Sequence, residues 1–335
     1  MLTMEAPFRI DPALQRSFDR GHAFPLGLAA GGVRPKAHGW CRMERPGEDD
    51  GPPTLTWTIV VSHEVVRPLL MDLMRLLPEM VTGIIELGSR DAFRTVDVFL
   101  SRSPVHKDRF RGAWDLFEPI LLEDATLAVG VNGEHPFIEI FIDQDKQVVV
   151  HAEVESVGRL EGILRRFKLA QQPESALLVP EAALDGIRTR SVLLQRQGLI
   201  VDTDQLLMDL RAAWDLELDV DPDRNLDGQG RNIGRTLWNG VVYMDQEDVA
   251  GRREAWGHFW GIAASRREME ELVIEFVESD GTWELLDVLS LDRAAFDDRP
   301  EALDDLPTSL PRRGVLVWRV DAAGTAPDWG GDERF

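Results

Sequence analysis

The chain has 335 residues, 44% of them apolar, with 59 acidic against 37 basic side chains and a formal net charge of −22. This length suggests about two domains of about 150 residues, each with enough apolar residues to build a packed core. The negative balance argues against a protein that coats duplex nucleic acid or an anionic membrane, because both surfaces attract clustered Lys and Arg.

The cysteine count and the N-terminus indicate the compartment. Cys41 is the one cysteine, so neither an intramolecular disulfide nor a cysteine zinc cluster can form, which favours a reducing environment. The first residues lack the basic start and apolar stretch of a secretory signal, and no window reaches the ~18 apolar residues of a membrane span. We therefore expect a cytoplasmic protein.

The first half predicts strands in hairpins with amphipathic helices between them. HGWCRMER and TLTWTIVVS indicate two strands. Apolar residues spaced by three and four then predict a helix over 64–77. MVTGIIEL and TVDVFLS indicate two more strands, and a helix follows through Phe110 and Leu121. TLAVGV and PFIEIFI flank Asn132-Gly133, which favours a tight hairpin, and QVVVHAEV pairs next through DQDK before a helix over 157–167.

The second half repeats this order. Leu206-Leu207-Met208-Asp209-Leu210 matches the segment 69–73 letter for letter, and a predicted helix with Ala255, Trp256 and Phe259 compares with one at 113–117. LVIEFV and WELLDVL, read as strands, flank an acidic turn as the strands around DQDK do. Three matches in one order at similar offsets predict tandem duplication. The match of 211–216 to 111–116 has a conflicting offset of 100, so at least one match is accidental.

These elements predict an α+β fold, with helices packed on one face of antiparallel, hairpin-built sheets in two related halves. A doubly wound nucleotide fold would need single strands alternating with helices and a Gly-rich turn, and neither is found. The expected domain organisation is an N-terminal extension over 1–37, a first domain over 38–170, a linker over 171–189, a second, acidic domain over 190–320, and a flexible tail over 321–335.

The most specific local pattern is Asp223-x-Asn225-x-Asp227-Gly228, with Asp219 and Asp221 just before it. Oxygen side chains at alternate positions followed by Gly match the first half of a calcium loop. The second half fails, because Gly234 occupies the position of the bidentate Glu. Two interpretations stay open. The first is a calcium or other divalent-metal site, such as that of a metal-dependent hydrolase, with ligands Asp221, Asp223, Asn225 and Asp227, and the second is an ordinary Asx-turn loop.

No pattern predicts a catalytic residue. His63-Glu64-x-x-Arg67 begins like a zinc protease motif, but Arg67 replaces the second His. No Ser lies in a nucleophile elbow, and Cys41 falls in a predicted strand, where an inert thiol is expected. We therefore lean towards a protein that is not an enzyme.

The charge distribution gives the one global indication of function. Residues 1–170 carry 25 acids and 20 bases, whereas residues 171–335 carry 34 acids and 17 bases. A concentrated negative face would steer a basic protein towards it and repel nucleic acid. The predicted partner-binding residues are Asp202, Asp204, Asp209, Asp215, Glu217, Asp297, Asp298, Asp304 and Asp305.

We expect a non-enzymatic module that binds a basic protein, for example an immunity-type or inhibitor protein that neutralises a cationic toxin or nuclease. The first alternative is the metal protein described above. The second is a scaffold subunit of a larger assembly, which an exposed apolar patch would favour. The sequence leaves the oligomeric state open.

Overall fold

The computed structural model describes residues 8–19, 21–29, 38–45, 53–144, 146–177, 188–190, 192–194, 203–248, 251–310 and 312–322. Contacts divide the chain into two compact units. The first unit comprises Met1–Leu87 and Val98–Asp219, and the second comprises Gly88–Asp97 and Val220–Phe335. The second unit is therefore built from two pieces of sequence.

The first unit combines helices with mostly short strands. In chain order its elements are β1 (Phe18–Asp19), β2 (His22–Ala23), β3 (Leu28–Ala29), β4 (Gly39–Arg45), β5 (Thr54–Val60), α1 (His63–Leu73), β6 (Met80–Gly88), β7 (Val96–Ser101), β8 (Val105–His106), α2 (Lys107–Glu123), β9 (Leu127–Glu134), β10 (Phe137–Ile142), β11 (Val148–Ala152), α3 (Val157–Arg166), α4 (Glu174–Leu177), β12 (Arg188–Thr189), α5 (Thr203–Trp214) and β13 (Leu216–Leu218).

The main sheet of the first unit is antiparallel, with strand order β13-β7-β6-β9-β10-β11-β5-β4 and β8 paired to β6. Every second side chain enters the core, as Ile138, Ile140 and Ile142 do on β10. Helices α1, α2, α3 and α5 cover that face with their apolar stripes. The predicted α+β class, with antiparallel sheets, is confirmed.

Two details of the first unit differ from expectation. Asn132 and Gly133 lie inside β9, and the chain turns two residues later, around His135 and Pro136. Gly133 is needed for a close approach rather than for a turn, because a Cβ there would come within 2.2 Å of Pro78 Cγ. The hairpin was predicted correctly, but its turn was placed wrongly.

The contacts also group the chain differently from the predicted division at 171–189. Helix α5 and β13 belong to the first unit. Trp214 stacks on Phe110 with ring centroids 4.6 Å apart, and its indole N–H donates to the Phe110 carbonyl at 3.2 Å. Phe8, from the predicted N-terminal extension, packs into the same core beside Phe117.

The second unit contains β14 (Thr236–Asp248), β15 (Gly251–Ala263), α6 (Arg266–Asp280), β16 (Glu284–Ala294) and β17 (Gly314–Ala322). Its antiparallel sheet has the order β16-β14-β15-β17. Helix α6 packs on one face through Met269, Val273 and Val277. Against the other face, Leu303 and Leu306 join a smaller cluster with Trp260.

Two predicted elements of this unit were wrong. Ala255, Trp256 and Phe259 lie in strand β15 rather than in a helix, and LVIEFV lies in helix α6 rather than in a strand. Both faces of β15 are covered, so its apolar residues do not alternate cleanly in the sequence. Ser265 caps α6 by accepting the Glu268 N–H at 3.2 Å, and Gly281 ends it with φ at 65°.

The proposed duplication stays a prediction. The match between 206–210 and 69–73 joins two helices, α5 and α1, but the other two matches join a strand with a helix. Among the described residues, no helix combines the length and apolar character required to cross a bilayer. Residues 323–335 of the predicted tail lie outside the described part of the chain.

Candidate functional site

The predicted metal loop is held by arginines. Asp223 and Arg267 form an ion pair, and the hydrogen bond from Arg267 lowers the pKa of the Asp223 carboxyl. Asp227 accepts the backbone N–H of Arg231 at 2.9 Å and pairs with its guanidinium at 2.6 Å, and these bonds lower its pKa. The Asp221 carboxylate accepts the Asp223 N–H at 3.0 Å, which is an Asx turn.

The fourth predicted ligand, Asn225, is buried and also engaged. Its amide nitrogen donates to the Gly234 carbonyl at 2.5 Å and the Thr236 hydroxyl at 3.0 Å. Its amide oxygen, the atom that a cation would need, accepts from the Arg293 guanidinium at 2.9 Å. All four side chains therefore have protein partners.

This geometry lends the metal interpretation no support. In the part of the chain that the structure describes, no group of three or more His, Cys, Asp or Glu side chains is placed to hold one ion. Asp219 ends the first unit, where its N–H donates to the Val98 carbonyl at 2.8 Å. Calcium binding stays a prediction that geometry does not favour.

Only three of the five predicted partner-binding carboxylates of the first unit have described side chains. Asp202 and the side chain of Asp204 lie outside the described residues. Asp209 is half-buried on α5. Asp215 and Glu217 are exposed, but both lie beside Arg102, at 4.0 and 3.3 Å, which offsets part of their charge.

The second unit presents its carboxylates together. Asp297, Asp298, Asp304 and Asp305 are all exposed within ten residues, as is Glu301, and we call residues 297–305 the acidic segment. Two short 3₁₀ turns, Phe296–Asp298 and Glu301–Leu303, give it a defined backbone. Leu303 is 8% exposed and packs beneath it near Trp260, so the segment is anchored to the sheet.

The one basic residue of the acidic segment, Arg299, folds back on it. Its guanidinium donates to the carbonyls of Phe296 at 2.9 Å and Leu303 at 3.1 Å and lies over the Phe296 ring at 4.4 Å. Its distance to the Asp304 carboxylate is 3.8 Å, too long for a strong ion pair. The outward charge of the segment is therefore negative.

A polar cluster in the second unit, in which Arg94 and Asp292 are half-buried and the other members are buried, was missed by sequence reasoning. We call it the Arg293 network, and its members are Asp91, Arg94, Asp97, Asn225, Asp292 and Arg293. Arg293 is 4% exposed, and its guanidinium donates to the Asp91 carboxylate at 2.6 Å and the Leu226 carbonyl at 2.5 Å. Arg94 bridges Asp91, at 3.2 Å, and Asp97.

Asp292 is the exceptional member of the Arg293 network. Burial, followed by the negative charges of Asp97 and Asp91, raises its pKa from 3.8 to about 6, although Arg94 and Arg90 act in the opposite direction. The carboxyl therefore changes its charge close to neutral pH. No local sequence motif identifies Asp292 as unusual, because Asp91 and Asp97 lie about 200 positions earlier in the chain.

A second missed cluster fixes the N-terminal residues of the first unit. Glu123 accepts from Arg16, from His63 at 3.1 Å and from the Leu26 N–H at 2.8 Å. Burial acts to raise the pKa of Glu123, but the hydrogen bonds from His63 and Arg16 hold it at about 2. Burial and the nearby His38 lower the pKa of His22 to about 4.

A third polar row lies on the face of the main sheet opposite α1, α2 and α3. His151 Nδ1 lies 2.9 Å from the Thr56 hydroxyl, and Nε2 lies 3.9 Å from Glu139. Burial lowers the pKa of His151 and raises that of Glu139. Because Thr56 is only 2% exposed and the Glu139 distance exceeds a hydrogen bond, the row has no accessible nucleophile.

Comparison with protein-family models, with curated proteins and with solved structures finds no match to this chain. Function must therefore be argued from the residues themselves. Of the surfaces described above, the acidic segment is the one where several predicted functional residues come together in one unit and face solvent.

Proposed function

We propose that this protein is a non-enzymatic, cytoplasmic binding module whose second unit engages a basic protein through the acidic segment. The observation that carries the proposal is the exposure of five carboxylates within residues 297–305, beside a single arginine that is tied to backbone carbonyls. A cationic partner would find little competing positive charge there. An immunity-type or inhibitor protein that masks a cationic toxin or nuclease is one concrete form of this function.

The anchoring of the segment supports recognition rather than solubility alone. Leu303 and Leu306 pack against the sheet, so the carboxylates project from a fixed backbone instead of a mobile tail. Fixed charges lose less conformational entropy when a partner binds. A potential of this sign accelerates encounter with a basic protein and loses strength as salt screens it.

The test is a charge-neutral version of the acidic segment. Asp297, Asp298, Asp304 and Asp305 would be changed together to Asn, and a matched control would change four exposed acids of α6 and β16, Glu271, Glu275, Glu278 and Glu284, to Gln. Both variants gain the same charge. The partner is isolated at low salt from the native cell, and association rates are then measured by stopped flow between ~20 and ~500 mM salt.

We expect the wild-type association rate to fall steeply with salt, and the Asn variant to associate at least about tenfold more slowly at low salt. The control variant should stay within about threefold of wild type. Equal losses in both variants would show that net charge alone matters, and a salt-independent wild-type rate would refute steering altogether.

One observation favours the scaffold alternative. Leu316 and Val320 are 38% and 37% exposed on β17, an edge strand, on either side of Trp318, and Phe276 of α6 lies 5.3 Å from that indole. Among the described residues no strand pairs with the outer edge of β17, and apolar side chains along such an edge are suited to association with another chain. Light scattering at ~5–200 μM would test it: a mass that stays at 37.7 kDa throughout would argue against self-assembly.

A further inference from the structure

The face of the second sheet that lies opposite α6 carries a row of four side chains, one from each strand. Asp287 of β16 is the register partner of Tyr243 on β14. Tyr243 in turn pairs with Trp256 on β15, and Trp256 pairs with Asp321 on β17. Direct cross-strand partners lie on the same face of a sheet. Ala255, next to Trp256 in the chain, packs in the core with α6, so the row points to the other side.

The two central residues of the row form an aromatic pair. The rings of Tyr243 and Trp256 are 4.7 Å apart between centroids and inclined by 34°, and both side chains are partly exposed. Strands β14 and β15 pair over their whole length, so the rings project from a rigid backbone. Tyr and Trp offer a large contact area at a low cost in conformational entropy, and the faces of their rings attract cations.

Carboxylates border the aromatic pair. Asp287 and Asp321 flank it within the row, each about 4.8 Å, one strand spacing, from its aromatic neighbour. Two residues further along the hairpin, Asp245 and Glu254 lie directly opposite each other, an arrangement of like charges that a bound cation would stabilise. Arg319 pairs with Asp321 at 2.9 Å, whereas the exposed Asp287 and Glu254 have no ion pair among the described residues. The surroundings of the rings are therefore negative.

The aromatic pair lies on the same side of the second unit as the acidic segment. Leu303 of that segment packs with Trp260, which follows Trp256 by four positions on β15 and therefore lies on the same face. At about 3.3 Å per residue, the two tryptophans are about 13 Å apart along the strand. Since an extended peptide covers that distance with about four residues, one basic segment can contact both places.

We propose that Tyr243, Trp256 and the carboxylates around them bind an arginine side chain of the basic partner, which the acidic segment attracts by its charge. This inference rests on the function proposed above and adds the side-chain chemistry that the partner must carry. A guanidinium is planar and has five donors, so it stacks on an aromatic ring and donates to a carboxylate at the same time. Arg299 already lies over the Phe296 ring at 4.4 Å in this way. A lysine ammonium is a point charge and gains less from the rings.

The experiment compares two capped peptides of equal charge, hexaarginine and hexalysine, in titrations of the full-length chain at ~50 mM salt, followed by calorimetry and by the Trp indole N–H signals in NMR. We expect wild type to bind hexaarginine about fivefold more tightly than hexalysine, and hexaarginine to shift the Trp256 signal. Trp256→Leu should reduce this preference below about twofold and leave hexalysine binding nearly unchanged. The matched control is Phe276→Leu, which removes a 36% exposed ring from α6 on the opposite side of the sheet and should keep the preference.

The outcomes separate this inference from the proposed function. If wild type binds both peptides equally, or if Trp256→Leu keeps the preference for hexaarginine, the arginine site is refuted. Loss of both peptides in the Asn variant of the acidic segment would still support the charged surface in that case. If neither peptide binds at low salt, both proposals fail. If Trp256→Leu does not fold, Tyr243→Leu replaces it, and a Trp256 signal that hexaarginine leaves unmoved in wild type would overturn the site.

Discussion

Replacement of Arg293 by Met tests whether the Arg293 network holds the second unit together. Met is similar in length and keeps the aliphatic packing of the side chain, but it removes the charge and all five donors. The change leaves the fully buried carboxylate of Asp91 without its main partner and the Asn225 amide oxygen without a donor.

The loss of unfolding free energy in Arg293→Met depends on which partners of Asp91 and Asn225 remain. Removal of one partner of a buried ion pair costs about 3–5 kcal/mol, and Arg94, still 3.2 Å from Asp91, keeps the loss near the lower limit. The unsatisfied Asn225 oxygen adds about 1 kcal/mol. We therefore expect the free energy of unfolding of the second unit to fall by about 4 kcal/mol, and Arg293→Lys to lose less because it retains a charge.

The assay is urea denaturation followed by tryptophan fluorescence, with amide exchange in β14 and β15 reporting on the second unit alone. The control is Arg313→Met, which breaks an exposed ion pair with Glu268 at 2.9 Å and should have a much smaller effect. The double variant Asp91→Asn, Arg293→Met should be more stable than the sum of the single losses predicts, by about 2 kcal/mol. Additive losses, or a loss below about 1 kcal/mol for Arg293→Met, would refute the reasoning.

Three further predictions concern single residues. Trp214→Ala should cost the first unit about 3–5 kcal/mol in urea denaturation, because the ring is fully buried and stacked on Phe110. Glu123→Gln should remove the contribution of this carboxylate to the free energy of unfolding. Because folding lowers the pKa of Glu123, that contribution is complete above pH 4.5 and is lost as the pH falls towards 2. Solvent screening reduces it to about 1–2 kcal/mol, and thermal melting at pH 3 and pH 6 measures it. Ser265→Ala should cost about 1 kcal/mol through loss of the α6 cap, and an unchanged melting temperature would contradict that role.

The elements of the first unit could be predicted because its main sheet has helices on one face. On β10 the buried residues Ile138, Ile140 and Ile142 alternate with partly exposed ones, which is the pattern that identifies a strand. The amphipathic stripes of α1 and α2 were equally clear. When only one face of a strand or helix is buried, its apolar residues recur in the sequence at the spacing typical of that element.

The large apolar residues of strand β15 do not alternate with polar ones in this way. Gly257 and Gly261 admit Trp318 and Met269 from one side, while Trp260 and Ile262 are buried on the other, so its large residues fall at spacings that resemble a helix. The start of α6 did carry a readable signal, Ser265-x-x-Glu268, in which the Glu268 carboxylate also accepts the Ala264 N–H at 2.6 Å. This capping signal predicts that residues 272–277 belong to a helix.

Local sequence patterns also could not reveal the contacts that form the candidate sites. The Arg293 network joins residues 202 and 68 positions apart, so no local pattern could reveal it. The loop around Asp223 looked like a cation site because sequence shows where acids are dense, but it does not show which arginine will neutralise each one. Arg267 and Arg231, from outside the pattern, pair with Asp223 and Asp227.

A count of acids therefore overstates the surface available to a basic partner. Asp215 and Glu217 share Arg102, so their negative potential is reduced. In the acidic segment the local arginine is bonded to carbonyls, and within the described residues no ion pair involves Asp297, Asp298 or Asp305. Because exposed and unpaired charge, rather than net charge, produces the field that a partner senses, the expected binding surface narrows from half of the chain to this one segment.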